Sequence, residues 1–164
     1  MKNREKELLF QLLRNSKLSD REIAKKLKTS QSTITRTRHK LENRLISSYT
    51  IVPDLSKLNI KLIAFTLGKC SAPTEEWVKT IKDFIESRPE VVFVGFGEGM
   101  GKTGVMISFH NDFSGYTEFM RESRLVCKDF GMVLESFIVP SDKLLRTLNM
   151  ARAVEFLVKK EWKT

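Results

Sequence analysis

Two stretches of this sequence combine residue types that can do chemistry at a defined spacing. The first, Gly95-Phe96-Gly97-Glu98-Gly99-Met100-Gly101-Lys102-Thr103, ends in the Gly-Lys-Thr of a phosphate-binding loop. That loop also needs a glycine where Phe96 stands, and a helix after Lys-Thr whose N-terminus faces the phosphates. The residues that follow, Gly-Val-Met-Ile-Ser-Phe, are strand-like instead. Nucleotide hydrolysis is therefore not expected, and the glycines are expected to form a flexible hairpin connection. Lys102 beside glycine amides can still build an anion-binding concavity.

The second stretch carries Gln31, Ser32, Thr33, Thr35, Arg36, His39, Lys40 and Asn43. Hydroxyls, amides, an imidazole and cations donate to phosphate oxygens and to base edges in a DNA major groove, where Arg selects guanine and Gln or Asn selects adenine. Other chemistries find less support. His39 and His110 are the two histidines, Cys70 and Cys127 the two cysteines, and no HxxxH or CxxC spacing occurs. Neither a zinc site nor any other cofactor is expected, and the cysteines are expected to be reduced core thiols. No nucleophile-base-orienter set appears, so the chain is not expected to be an enzyme.

The charge of the chain supports the nucleic-acid reading by its location. The formal net charge is +9 over 164 residues. Residues 1–50 hold 13 Lys/Arg against 5 Asp/Glu, whereas residues 51–164 hold 16 against 15. A basic module joined to a neutral one points to a polyanion as partner of the first third. No apolar run is long enough to cross a membrane, and the polar opening MKNREKE is no signal peptide, so a cytoplasmic location and no membrane partner are expected.

Three helices are expected to position the basic face. The first spans about 4–15, with Leu8, Leu9, Leu12 and Leu13 on one stripe. The second opens at Ser19-Asp20-Arg21-Glu22, a Ser-x-x-Glu capping box, and ends near Lys28. Ser30 caps the third, which runs to about Asn43. With Ile34 at 0° and ~100° per residue, Leu41 falls near 340°, so both face the core. Ser32, Arg36, His39 and Asn43 fall between about 140° and 200°, on the outward side, with Thr35 and Lys40 flanking. Two helices with a tight turn, the second polar and basic outward, make a helix-turn-helix. Residues 46–52 alternate weakly and predict a short strand, either a wing or the start of a linker.

These segments resemble the amino-terminal domain and linker of the leucine-responsive regulatory protein/asparagine-synthase regulator (Lrp/AsnC) family. The resemblance rests on Leu18 to Leu27, on the Ser-x-Ser-Thr-Ile of Ser30 to Ile34, and on the exit segment with Tyr49, Thr50 and Asp54. The sequence departs from the family pattern at Lys28, where glycine is usual in the turn, and at Arg38, where an apolar residue is usual. Arg38 is expected to snorkel past the core edge or to reach a phosphate.

From residue 60 onward the pattern alternates between strand and helix. Strands are expected at 60–67, 91–96, 105–109 and 133–139, and helices at 75–87 and 112–125, with a turn at Ser71-Ala72-Pro73-Thr74. The order β-α-β-β-α-β is that of a ferredoxin-like sandwich. The fold class is thus α+β, a winged helix-turn-helix followed by a ferredoxin-like βαββαβ domain and a C-terminal helix. The domains are expected at 1–52, 60–140 and 141–164, with a linker at 53–59. The terminal helix should run from Asp142 to about Trp162, capped by Ser141 and apolar at Leu144, Leu145, Leu148, Ala151, Val154, Leu157 and Val158. It is expected either to pack on its own sheet or linker, or to serve as an extra oligomerisation helix.

The resemblance implies a second domain that dimerises through its sheets and binds small molecules, often amino acids. It places effector contacts at Gly99, Gly101, Lys102 and Thr103, in a connection where the family often has Gly-x-x-Asp. This chain has no carboxylate there, so an anionic or different effector, or a subunit contact, is expected. The function expected is a sequence-specific, double-stranded-DNA-binding transcriptional regulator acting as a homodimer or higher homo-oligomer. The alternatives are an RNA-binding or protein-interaction module using the basic third, with Phe93 and Phe109 as sheet aromatics, or a ferredoxin-like protein that binds or processes a small molecule.

Overall fold

The computed structural model describes residues 2–70, 74–146 and 150–160, which form two compact units. The first comprises Met1–Val52 with Arg146–Thr164, and the second Pro53–Leu145.

The first unit opens with α1 (Asn3–Arg14), α2 (Asp20–Lys26) and α3 (Gln31–Glu42). Their core is Leu8, Leu9 and Leu12 from α1, Ile23 and Ala24 from α2, and Ile34 and Leu41 from α3. Leu18, Leu27 and Ile46 pack at its margin. Local chemistry sets the helix starts. The Ser19 hydroxyl accepts the Glu22 amide, and the Glu22 carboxylate takes the Ser19 N–H at 2.7 Å, completing the capping box. Ser30 accepts the Thr33 amide at 3.3 Å and starts α3.

Between α2 and α3 the chain turns through Lys28 at φ +49°, a left-handed position usually left to glycine. The Thr29 amide reaches the Ala24 carbonyl at 3.0 Å and the Lys28 amide reaches Lys25 at 3.4 Å, which together form a Schellman motif. The turn thus keeps the geometry glycine would give, at the cost of a crowded Cβ.

Residues 46–52 form no strand, which corrects the expected wing. Strands need a ladder partner for their backbone, and the described residues supply none here. The alternation leaves Ile51 75% exposed. The terminal helix is also corrected. A 3-10 turn at Ser141–Lys143 gives way to extended Leu144 and a fully exposed Leu145, and α6 spans only Met150–Lys160. It belongs to the first unit and packs on α1, neither on the sheet nor as a segment of its own. Arg14 on α1 bonds Glu155 at 2.6 Å, and Lys159 lies 5.7 Å from the Phe10 ring centroid. These two contacts run in opposite directions along the helices, so α6 is antiparallel to α1. Leu148, Trp162 and most of the turn expected at 71–74 lie outside the described residues.

The second unit is a four-stranded antiparallel sheet ordered β2-β3-β1-β4, from β1 (Leu62–Lys69), β2 (Val91–Gly99), β3 (Lys102–His110) and β4 (Val133–Pro140). The helices α4 (Glu75–Glu86) and α5 (Phe113–Lys128) cover one face. Ala64 of β1 packs there with Tyr116, Phe119 and Met120 of α5. This is the expected βαββαβ topology. The segment expected as a linker is partly regular, with a 3-10 turn at Leu55–Leu58 that belongs to this unit.

The glycine-rich stretch is the main revision here. It is sheet rather than a flexible connection: β2 and β3 continue to a two-residue turn at Met100 and Gly101, with φ +51° and +70°. Both central residues left-handed is the type I′ turn that matches strand twist. The register pairs Phe96 with Gly104 and Gly99 with Lys102, with a bulge between them.

Side chains alternate across the sheet, so the helix-facing Ala64 and Thr66 leave Phe65 and Leu67 on the opposite face. Register adds Ile107 and Phe109 of β3, Phe93 of β2, and Phe137 and Val139 of β4 to that face. Phe137 is 71% exposed.

Candidate nucleic-acid interface

The outward side of α3 is set by the burial of Ile34 and Leu41, which fixes the rotation of the helix. Gln31, Ser32, Thr35, Arg36 and His39 then line one shallow surface, with no carboxylate among them. Arg36 and Gln31 are exposed, and no ion pair engages Arg36 among the described residues. His39 Nδ1 lies 3.3 Å from a Glu42 carboxylate oxygen at the edge of this surface. The assembly offers a guanidinium, an amide, an imidazole and hydroxyls from consecutive turns of one helix, which is what a major groove accepts.

The other predicted contacts are placed differently. The Thr35 hydroxyl donates to Asp20 at 2.6 Å, so it borders the surface while bonding α3 to α2. Thr33 turns to the helix start, its hydroxyl 2.7 Å from that of Ser30. Lys40 Nζ lies 2.5 Å from the Glu5 carboxylate, which is buried on α1. That bond, the Lys2 backbone N–H and the charges of Lys40 and Arg44 hold the Glu5 carboxyl below its ordinary range. Lys40 therefore ties α3 to α1. Asn43 is exposed at the C-cap, one turn beyond His39.

Arg38 neither snorkels to solvent nor stands ready for a phosphate. Its Nε is 2.7 Å from Asp20 Oδ1, and its Nη2 donates to the Leu18 carbonyl at 3.0 Å. Asp20 thus receives Thr35 and Arg38 from α3 at once, which sets the angle between the two helices. Sequence reasoning missed Asp20 and Glu5 as positioning residues; the one available signal was an arginine at a core-register position. Tyr49 in the exit segment donates to Glu42 at 2.9 Å. Burial and that hydrogen bond push its phenol above the usual range.

The expected effector residues lie at the β2–β3 hairpin. Gly99 ends β2, Gly101 is in the turn, and Thr103 accepts the Cys70 N–H at 2.9 Å through its hydroxyl. Lys102 Nζ is 2.5 Å from Glu135 Oε1 of β4. A bare cation facing glycine amides is therefore not what the hairpin presents: a carboxylate from elsewhere in the chain accompanies it. Cys70 and Cys127 are free and buried, and burial pushes the Cys127 thiol up to about 11. Among the described residues no cluster of three His, Cys, Asp or Glu forms, and no helix is long and apolar enough to cross a membrane.

No family model and no curated protein matches the sequence. Solved structures do. An AsnC family transcriptional regulator from Agrobacterium tumefaciens aligns over 92% of this chain and 95% of its own, with 20% identity and a TM-score of 0.77. A transcriptional regulator from Neisseria meningitidis, solved as a complex with L-Met, aligns over 96% and 99% with 16% identity and a TM-score of 0.81. The AsnC protein of E. coli aligns over 91% and 98% with 17% identity and a TM-score of 0.74. From the helix-turn-helix through the βαββαβ unit, the chain therefore has the fold of the AsnC and Lrp transcriptional regulators.

Proposed function

We propose that this protein is a sequence-specific, double-stranded-DNA-binding transcriptional regulator that acts by binding and catalyses no reaction. The observation that carries the reading is the carboxylate-free surface of Gln31, Ser32, Thr35, Arg36 and His39 on the second helix of a helix-turn-helix. Concentration of the positive charge in residues 1–50 supports it, because phosphate neutralisation supplies most of the affinity of such proteins. The working form is a homodimer or a higher homo-oligomer. Its contact is the open sheet face of Phe65, Phe93, Ile107, Phe109 and Phe137, where Phe93 and Phe137 are exposed apolar side chains. Two copies then present α3 to half-sites about one DNA turn apart.

The experiment is selection from a random duplex pool, followed by anisotropy on the enriched sequence and a shuffled control. Preference for the enriched duplex supports the reading, and equal affinity for both counts against sequence recognition. Preference for single-stranded RNA over the duplex would instead favour RNA binding on the sheet, whose open face carries the exposed aromatics Phe93 and Phe137.

An effector response is a narrower proposal. The Lys102–Glu135 pair offers a cation and a carboxylate side by side, the complement of a zwitterion such as an amino acid. Calorimetric titration with amino acids, nucleotides and carboxylates tests it: no heat from any of them removes the hairpin from consideration.

A further inference from the structure

The carboxylate of Glu42 has two partners from different parts of the first unit. Its Oε2 lies 3.3 Å from His39 Nδ1, and its Oε1 accepts the Tyr49 hydroxyl at 2.9 Å. His39 lines the outward surface of α3, whereas Tyr49 belongs to the segment that leaves the helices. The backbone brings the two together. Beyond the C-cap of α3, the Leu45 and Ile46 amides both reach the Leu41 carbonyl, at 2.8 and 2.9 Å, and Ile46 packs at the margin of the core. This turn returns the chain to the end of α3, where Tyr49 meets a residue seven positions before it.

Each side chain takes its direction from the next. The His39 side chain is 72% exposed, and Glu42 is its ion-pair partner among the described residues. With Nδ1 turned to Glu42, Nε2 is the ring nitrogen left to face a base edge. Glu42 is partly withdrawn from solvent, and the phenol engages its other oxygen. Burial, and after it the bond to Glu42, hold the Tyr49 phenol above its ordinary range, so it stays a proton donor at neutral pH. A carboxylate at the margin of a polyanion-binding surface lowers affinity unless it contributes something else.

We propose that Glu42 is a specificity-determining positioning residue: it aims the His39 imidazole at a base edge, and Tyr49 of the exit segment holds Glu42 in place to do so. The proposal rests on the DNA-binding reading and adds to it a part for the segment beyond the helices. Base contacts carry sequence information and phosphate contacts do not. This relay therefore acts on the preference between duplexes, while the surplus cations of residues 1–50 supply affinity for any duplex.

Anisotropy of the full-length protein on the selected duplex and its shuffled control is the test. Glu42→Ala should lose about fivefold of the preference for the selected duplex, the worth of one hydrogen bond. It should nevertheless bind the shuffled duplex about twofold tighter, because a negative charge is gone. Tyr49→Phe keeps the ring and the net charge, so it should lose about twofold to threefold of the preference with shuffled-duplex affinity unchanged. In the Glu42→Ala background, His39→Ala should cost no further preference. Equal tightening on both duplexes by Glu42→Ala, an unchanged preference in Tyr49→Phe, or additive losses for Glu42 and His39 would overturn the proposal. A wild type with no preference at all removes the DNA reading instead, and the relay is then read without DNA. The His39 Cε1–H proton signal, one of two from the histidines and identified by its loss in His39→Ala, should shift in both Tyr49→Phe and Glu42→Ala. A signal unmoved by Tyr49→Phe overturns the relay by itself.

Discussion

Arg38 on α3 and Asp20 on α2 form an ion pair of 2.7 Å, with each side chain largely withdrawn from solvent. The pair sits where helix periodicity calls for an apolar contact. It fixes the angle between the helices through charge, and hydrogen bonds from the Thr35 hydroxyl to Asp20 and from Arg38 Nη2 to the Leu18 carbonyl complete it. Arg38→Ala should therefore destabilise the first unit by about 2 kcal/mol, since it leaves a half-buried carboxylate with one partner fewer. Urea denaturation measures this. A loss below about 0.5 kcal/mol would place the pair among surface bridges of little consequence.

At Lys28 the chain accepts strain at φ +49°. Lys28→Gly should stabilise the protein by about 1 kcal/mol, because a left-handed residue with a Cβ costs roughly that much. A raised thermal midpoint is the expected reading. A lowered one would mean that the lysine side chain contributes more than its backbone costs.

His110 is buried against Tyr116 and Phe119, with its Nε2 2.8 Å from the Ser108 hydroxyl. Desolvation holds its pKa below the ordinary 6.5, against the opposing pull of Glu90 and Asp112. The unfolded chain thus binds the proton more readily. The stability His110 confers is fully present above about pH 6.5 and is lost as pH falls through the folded-state pKa. His110→Gln should flatten this part of the pH-stability profile. The carboxyls held low, Glu5 and Glu22 among them, give a separate loss below about pH 4.5. A wild-type profile flat between pH 6.5 and 5 would contradict the assignment.

The exposed Phe137 stands on the open face of the sheet. Phe137→Glu should lower the solution mass to that of a monomer, by light scattering, while circular dichroism stays unchanged. An unaltered mass would move the subunit contact elsewhere.

Local chemistry was the legible part of this molecule. The Ser19–Glu22 box, the Ser30 cap and the leucine stripe of α1 involve neighbours within one or two helical turns, so their residue types announce them. The order of strands and helices was legible for the same reason. Contacts between distant segments were not. Lys40–Glu5 spans 35 positions and Lys102–Glu135 spans 33, and periodicity carries no trace of either. Of the eight residues predicted for this face, five line one surface, whereas Thr33 and Lys40 turn to partners that a helical wheel cannot show. The hairpin glycines read as a loop because their ladder partner is visible only once the strands pair. The stripe expected from 142 onward breaks because α6 answers to the surface of α1, a surface far away in sequence.

The most direct test of the account is Arg36→Ala, compared with wild type by anisotropy on the selected duplex at several salt concentrations. Wild-type affinity should fall linearly with salt on logarithmic axes, and Arg36→Ala should bind about 5- to 150-fold more weakly with an unchanged thermal midpoint. Equal binding by the variant, or no wild-type binding to duplex DNA at low salt, would contradict the claim that α3 is the DNA-reading helix.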